Sequence, residues 1–246
     1  MSTPALRGSR LAVVLAGGRG TRLAPYTVVM PKPLMPLGDM PILELVLRQL
    51  RRYGFRQVVL AVGHLSQLIE AYFGDGSSLG VELVYARERE PLGTAGPLAL
   101  ISGLDRDFLV MNGDVLTSLD LGAFLDAHSV AGAPASIATY ERTNQVDFGV
   151  VQSNEAGYVT GYAEKPVHRY LVSMGVYAFS PDVLTFITPG ERLDFPDLVL
   201  RLLAAGSRVR SVPFSGYWLD IGRHDDLARA QEELEAHRAD FLGEDA

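Results

Sequence analysis

Six apolar residues in a row, LAVVLA at 11–16, run straight into Gly17-Gly18-Arg19-Gly20. A run so short and so uniformly apolar reads as a strand buried on both faces. Such a strand needs cover above and below, which a parallel sheet with crossover helices supplies. The next periodic segment begins only at Pro41, so a long glycine- and proline-rich loop separates this strand from its helix.

The rest of the first half repeats the alternation. Residues 41–53 read as a helix with proline at its start and Leu43, Val46, Leu47 and Leu50 on one face. Strands follow at 57–62, 81–85, 107–112 and 135–140, and helices at 65–73, 94–101 and 121–130. The second half is mixed: short strands at 148–152, 158–163 and 170–178, helices at 182–187 and 195–205, a strand at 208–213, and a charged amphipathic helix over 224–239. The expected fold is α/β, with a Rossmann-like, mostly parallel central sheet flanked by helices. A small antiparallel extension belongs to the second half, and the ligand cleft lies at the strand ends.

Composition narrows the function. A net charge of −7 and a pI near 5.2 argue against a general nucleic-acid binder. With no cysteine, disulfides, thiolate nucleophiles and cysteine-based zinc sites are excluded. The histidines at 64, 128, 168, 224 and 237 show no metal-ligand spacing. The apolar run at 11–16 is too short for a signal peptide, and no stretch is long enough to span a membrane, so a cytoplasmic setting is expected. The 22 basic residues include only two lysines, Lys32 and Lys165, each followed by proline. In a chain that otherwise uses arginine, these mark places that need a compact ammonium rather than a planar fork. The following prolines bias both toward extended backbone.

The loop 15–38 concentrates these signals. Glycines let successive backbone N–H groups approach an anion, Arg19 and Arg22 add charge, and Lys32 closes the loop. It is not a P-loop, since no Gly-Lys pair occurs, and not a dinucleotide fingerprint, since position 23 is leucine. The sum is a polyphosphate cradle.

LAGGRGTRLAP followed by PKPL resembles the signature of the sugar-1-phosphate nucleotidylyltransferases. The likeness continues through PLGTAG (91–96), NGD (112–114), FGVV (148–151), EKP (164–166), MGVY (174–177) and WLDIG (218–222). It implies one nucleotidyltransferase domain over 1–246, with a nucleotide-binding half at about 11–140 and a sugar-phosphate half at about 141–246. It implies joining of a nucleoside triphosphate to a sugar 1-phosphate with release of pyrophosphate, assisted by Mg²⁺. By the same resemblance Arg22, Lys32, Asp114 and Lys165 are catalytic. Leu15, Ala16, Gly17, Gly18, Arg19, Gly20, Thr21, Arg22, Lys32, Gly93, Thr94 and Gly113 contact the nucleotide. Gly149, Glu164, Lys165, Ser173 and Gly175 contact the sugar phosphate, and Asp114 and Asp220 hold the metal. The chemistry agrees: Mg²⁺ takes oxygen ligands, a carboxylate accepts two hydroxyls, and an ammonium neutralises a phosphate.

Ser173-Met174-Gly175 stands where the family often has Asn-Ala-Gly, which leaves the sugar open. Among Arg87, Glu88, Arg89 and Glu90, a glutamate would suit the N–H donors of guanine, and a solvated charge run explains the same residues. The expected pair is GTP with a mannose- or heptose-like sugar 1-phosphate; dTTP or UTP with glucose 1-phosphate is the alternative. A glycosyltransferase is disfavoured because Asp114-Val115-Leu116 is not Asp-x-Asp. A non-catalytic nucleotide or sugar-phosphate sensor is disfavoured because every charged site residue is present. Asp120, Asp194, Asp197, Asp225 and Asp226 read as caps or solvated charges. Trp218 reads either as a ligand stacker or as a buried aromatic. No partner macromolecule is implied, and self-association is left open.

Overall fold

The buried strand 11–16 becomes the middle of a seven-stranded sheet. The computed structural model describes residues 10–88 and 90–243. In chain order the elements are β1 Arg10–Leu15, β2 Pro36–Leu37, β3 Met40–Pro41, α1 Ile42–Arg52, β4 Phe55–Val62, α2 Ser66–Phe73, β5 Glu82–Arg87, β6 Phe108–Asn112, β7 Val115–Thr117, α3 Leu121–Ala131 and β8 Ala135–Gln145. There follow β9 Val150–Ser153, β10 Val159–Ala163, β11 Val167–Phe179, α4 Phe195–Ala204, β12 Arg210–Phe214, β13 Trp218–Asp220 and α5 His224–Leu242.

The main sheet runs β12-β8-β11-β6-β1-β4-β5, and both halves of the chain contribute to it. Strand β11 is antiparallel to both of its neighbours, and every other adjacent pair is parallel. Order reverses at β1: the chain builds outward through β4 and β5, then returns to place β6 on the other side of β1. Such a switch point leaves a crevice at the carboxyl ends of the two diverging strands.

Alternation along β1 divides the core into two layers. Ala12 and Val14 pack with Leu43, Val46, Leu47 and Leu50 of α1 and with Phe124 and Leu125 of α3. Leu11 and Val13 face the opposite layer, with Leu198 and Leu202 of α4. A third cluster joins Leu37, Ile42, Leu45, Leu116, Leu219, Leu234 and Phe241. It binds α5 to the β2–β3 hairpin and to the β7–β13 pair. Helix α1 therefore sits between two cores, which explains why its apolar stripe is wide.

The antiparallel extension is present and longer than expected. β8 and β11 remain paired from Ser173↔Thr139 out to Val167↔Gln145, and β9 and β10 form a separate hairpin between them in the chain. Most residues of this outer ribbon are exposed.

Two expected helices are instead 3₁₀ turns, at Gly96–Leu100 and Pro181–Phe186. Each has proline in its first turn. In the first, the amides of Ala95 and Gly96 both bond the Leu193 carbonyl, which fixes the segment's entry from outside. The bias from proline toward extended backbone is also overturned at both lysines. Lys32 opens a 3₁₀ turn, where Pro33 needs no donor, and Lys165 adopts φ 46°.

Asp120 caps α3, its Oδ1 accepting from the Ala123 N–H at 2.8 Å. Asp120→Ala is expected to lower stability by about 1 kcal/mol and leave nucleotide affinity unchanged, which urea unfolding alongside a nucleotide titration would check.

Candidate active site

The glycine loop is positioned by the strand that precedes it. The Ala16 N–H continues the sheet pattern by bonding the Ala61 carbonyl at 2.8 Å, so the chain leaves β1 beside the end of β4. Thr27 then donates to the Gly20 carbonyl at 2.8 Å and folds the loop back on itself. On the other side of the switch point, the Gly113 N–H bonds the Leu15 carbonyl at 2.9 Å. A Cβ at Gly113 would lie 2.9 Å from that same oxygen, so only glycine allows the ends of β6 and β1 to close up. Asp114 is the next residue, and its carboxylate is ion-paired with the Lys32 ammonium. Lys32 is buried, only 8% exposed.

The Asp114 carbonyl accepts the Ile221 N–H at 3.0 Å, tying the end of β13 to the same place. Asp220 is thereby set beside Asp114. Partial enclosure by the protein, and next the charge of Asp114, push the Asp220 carboxyl above its ordinary range; Lys32 and Arg22 act in the other direction. The Arg22 guanidinium reaches this corner too: a Cβ on Gly222 would lie 3.3 Å from its Nη1. Two cations and two carboxylates thus share one neighbourhood.

A cleft of about 620 Å³ opens beside this corner; Arg22, Lys32 and Asp114 line it, and Asp220 lies outside its lining. That size suits a small-molecule ligand. All twelve residues expected to contact the nucleotide line it, from Leu15 to Arg22 together with Lys32, Gly93, Thr94 and Gly113, and so does Asp114. It crosses the carboxyl ends of β1, β4 and β6 and reaches Glu88 just beyond β5.

Several lining residues were not expected there, including His64, Asn112 and Asp194. Asp194 is the clearest case. Instead of capping α4 with its side chain, it accepts from the Thr94 N–H at 2.9 Å and the Thr94 hydroxyl at 3.3 Å. The Thr94 hydroxyl oxygen in turn accepts the Phe195 N–H at 2.8 Å, so it is threonine that caps the helix. Nothing in the sequence near Asp194 signals a partner 100 residues away. Glu88 accepts the Leu92 N–H at 2.9 Å, and burial pushes its carboxyl above the usual range despite that bond. Asp120 is a helix cap, as read from sequence. Trp218 is half-buried; its indole donates to the Met174 carbonyl at 3.0 Å and Arg142 lies over its ring at 5.0 Å.

The residues expected on the sugar side lie apart from this cleft lining. Glu164 and Lys165 are exposed on the turn between β10 and β11. Gly149 stands against Glu164 across the hairpin. Ser173 and Gly175 sit where β11 bulges away from β8 before it joins β6. The Ser173 hydroxyl donates to Tyr177 Oη at 2.9 Å and accepts the Gly175 N–H at 3.3 Å. Gly175 abuts the cleft residue Asn112, since a Cβ there would come within 2.6 Å of Asn112 Nδ2.

Among the described residues no three histidines or carboxylates converge as a complete metal cage. The pair Asp114 and Asp220 fits a hard cation that takes its remaining ligands from phosphates and water. Burial first and the charge of Asp114 second raise the Asp220 carboxyl, and a bound cation would offset both.

A mostly parallel sheet with a glycine loop and a lysine–aspartate pair at its switch point describes an α/β protein with its cleft at the strand ends. The profile of the nucleotidyl transferase family matches residues 11–237, and the chain belongs to that family. It is 34% identical over 239 residues to a UTP–glucose-1-phosphate uridylyltransferase of Synechocystis, covering 89% of this chain and 62% of the relative. It is 35% identical over 235 residues to a mannose-1-phosphate guanylyltransferase of Mycobacterium tuberculosis, covering 91% and 64%. The chain therefore spans less than two thirds of the length of these curated relatives. A solved Bacillus anthracis structure, provisionally named a glucose-1-phosphate thymidylyltransferase, superposes with TM-score 0.73 at 25% identity, covering 91% of this chain and 94% of the other. HddC from Yersinia pseudotuberculosis shares the fold, with TM-score 0.70 at 23% identity over 92% of this chain and 99% of its own.

Lys165 holds a left-handed conformation that a non-glycine residue adopts at some energetic cost. Lys165→Gly is expected to keep or raise stability, by up to about 1 kcal/mol, while turnover falls. Urea unfolding and turnover measured on one preparation would check this, and a clear loss of stability would show that the backbone there carries no strain.

Proposed function

We propose that the chain transfers a nucleotidyl group from a nucleoside triphosphate to a sugar 1-phosphate and releases pyrophosphate. The observation that carries this reading is the buried Lys32 ammonium paired with Asp114 beneath the glycine loop, with Asp220 and Arg22 at the same corner. An oxygen of the sugar 1-phosphate attacks the α-phosphorus in line, and the bond to the bridging oxygen of the pyrophosphate breaks. The attacking group is already anionic, so no general base is needed and no covalent enzyme intermediate forms.

Catalysis on this reading is positioning and charge neutralisation. The backbone N–H groups of residues 17–21 and the Arg22 guanidinium hold the triphosphate. Lys32 presents a point charge that burial keeps fixed. Lys165, on the ribbon, neutralises the attacking phosphate, and Glu164 accepts sugar hydroxyls. Asp114 and Asp220 would hold Mg²⁺, which supplies charge neutralisation at the phosphates.

The preferred substrates are GTP and a mannose- or heptose-like sugar 1-phosphate. A half-buried glutamate at the end of β5 is an acceptor suited to guanine N1–H and N2–H, and the guanylyltransferase relative supports the same choice. The uridylyltransferase relative favours UTP with glucose 1-phosphate as the second reading. We place the reaction in one nucleotidyltransferase domain in the cytoplasm. No helix among the described residues is long and apolar enough to cross a membrane.

Pyrophosphate release is the test, with five nucleotides against glucose, mannose, heptose and amino-sugar 1-phosphates. GTP with mannose or heptose 1-phosphate is expected to lead; no release from any pair would favour a glycosyltransferase or a non-catalytic sensor. Lys32→Arg is expected to cut turnover about a hundredfold although charge is kept, because a planar fork cannot enter the buried site. A rate near wild type would remove the argument from lysine scarcity. Asp114→Asn is expected to leave unfolding cooperative and shift the Mg²⁺ requirement sharply upward, and unchanged activity at low Mg²⁺ would show that Asp114 is no ligand.

A further inference from the structure

Glu164 is not a free surface carboxylate. Tyr162, two residues upstream in β10, donates its hydroxyl to Glu164 Oε2 at 3.0 Å. Room for this bond exists because position 149 is glycine. A Cβ there would lie 1.9 Å from Tyr162 Oη and 3.1 Å from Glu164 Oε2. Three separate parts of the ribbon, the approach to β9, β10 itself and the turn into β11, therefore meet at one carboxylate. Tyr162 is 66% exposed and Glu164 is exposed as well, so burial does not force the contact. Among the described residues Glu164 Oε1 accepts no hydrogen bond.

We propose that Tyr162 is a positioning residue for sugar recognition: its hydroxyl holds the Glu164 carboxylate in one orientation and leaves Oε1 to accept from the ring hydroxyls of the sugar 1-phosphate. The proposal rests on the reading that places the sugar at Glu164. Epimers differ in the direction of one hydroxyl. An acceptor fixed in direction distinguishes them, whereas a glutamate free to change rotamer follows either. Fixing the side chain before binding also removes an ordering cost that each binding event would otherwise carry. Gly149 then has a role beyond close backbone approach, since it vacates the volume that the tyrosine hydroxyl fills.

Tyr162→Phe removes the hydroxyl and keeps the ring. Calorimetric titration of mannose 1-phosphate and glucose 1-phosphate, in the presence of a nucleoside triphosphate whose α–β bridging oxygen is replaced by methylene, is the first measurement. The favoured sugar phosphate is expected to bind about tenfold more weakly, a change of about 1.4 kcal/mol, and the preference between the two epimers is expected to shrink. Nucleotide affinity and kcat at saturating sugar phosphate should hold, because only sugar orientation is lost. In a Glu164→Ala background, Tyr162→Phe is expected to change sugar-phosphate affinity no further, which is the signature of action through Glu164. Unchanged sugar affinity and epimer preference in Tyr162→Phe, with a loss in Glu164→Ala, would overturn the proposal and leave the placement of the sugar standing. No loss in either variant would overturn both. An equal loss in the Glu164→Ala background would show that Tyr162 acts on its own and not through the carboxylate.

Discussion

One hydrogen bond, from the Gly113 N–H to the Leu15 carbonyl, sets the geometry on which the site depends. It joins the carboxyl ends of β6 and β1 where strand order reverses, at a distance that admits no side chain. The glycine loop leaves one of these ends and Asp114 leaves the other. Lys32 can pair with Asp114 only because the two ends are held together, and the Asp114 carbonyl then brings in β13 with Asp220. Charges that are far apart in sequence are gathered by backbone bonds, not by their mutual attraction.

The gathered charges balance. Arg22 and Lys32 stand against Asp114 and Asp220 in a protein whose net charge is −7. A buried ammonium without a carboxylate beside it would be strongly destabilised by desolvation. Pairing with Asp114 gives the enclosed ammonium a partner within the fold. It also explains why a chain that prefers arginine keeps lysine at position 32: the ammonium is small enough to be nearly enclosed.

Legibility differed between the two sides of the site for a physical reason. The side expected to take the nucleotide is built from contiguous backbone after a buried strand, so glycine spacing and local apolar runs expose it, and Leu15 to Arg22 all line the cleft. The parallel sheet was legible in the same way, from alternation of apolar runs and amphipathic segments. What could not be read locally depends on distant partners. Asp194 looks like a helix cap until Thr94 is brought next to it by folding, and Asn112 meets Gly175 only through the pairing of β6 with β11. The segments 94–101 and 182–187 carry helical composition, yet bonds to residues outside them, or proline in a short first turn, leave them as 3₁₀ turns. Proline's local bias lost in both lysine motifs, since Lys32 opens a 3₁₀ turn and Lys165 takes a left-handed conformation.

The outer ribbon of β8 and β11 with the β9–β10 hairpin has few residues in any core cluster. Changing a side chain there alters little buried area, whereas the glycine loop follows a strand packed on both faces, and a Cβ at Gly17 or Gly20 would meet a neighbouring atom within 3 Å. Stability is therefore concentrated away from the ribbon. If the sugar sits at Glu164 as proposed, its recognition can change on the ribbon at little cost to folding, whereas a change at the closest points of the glycine loop disturbs the fold itself.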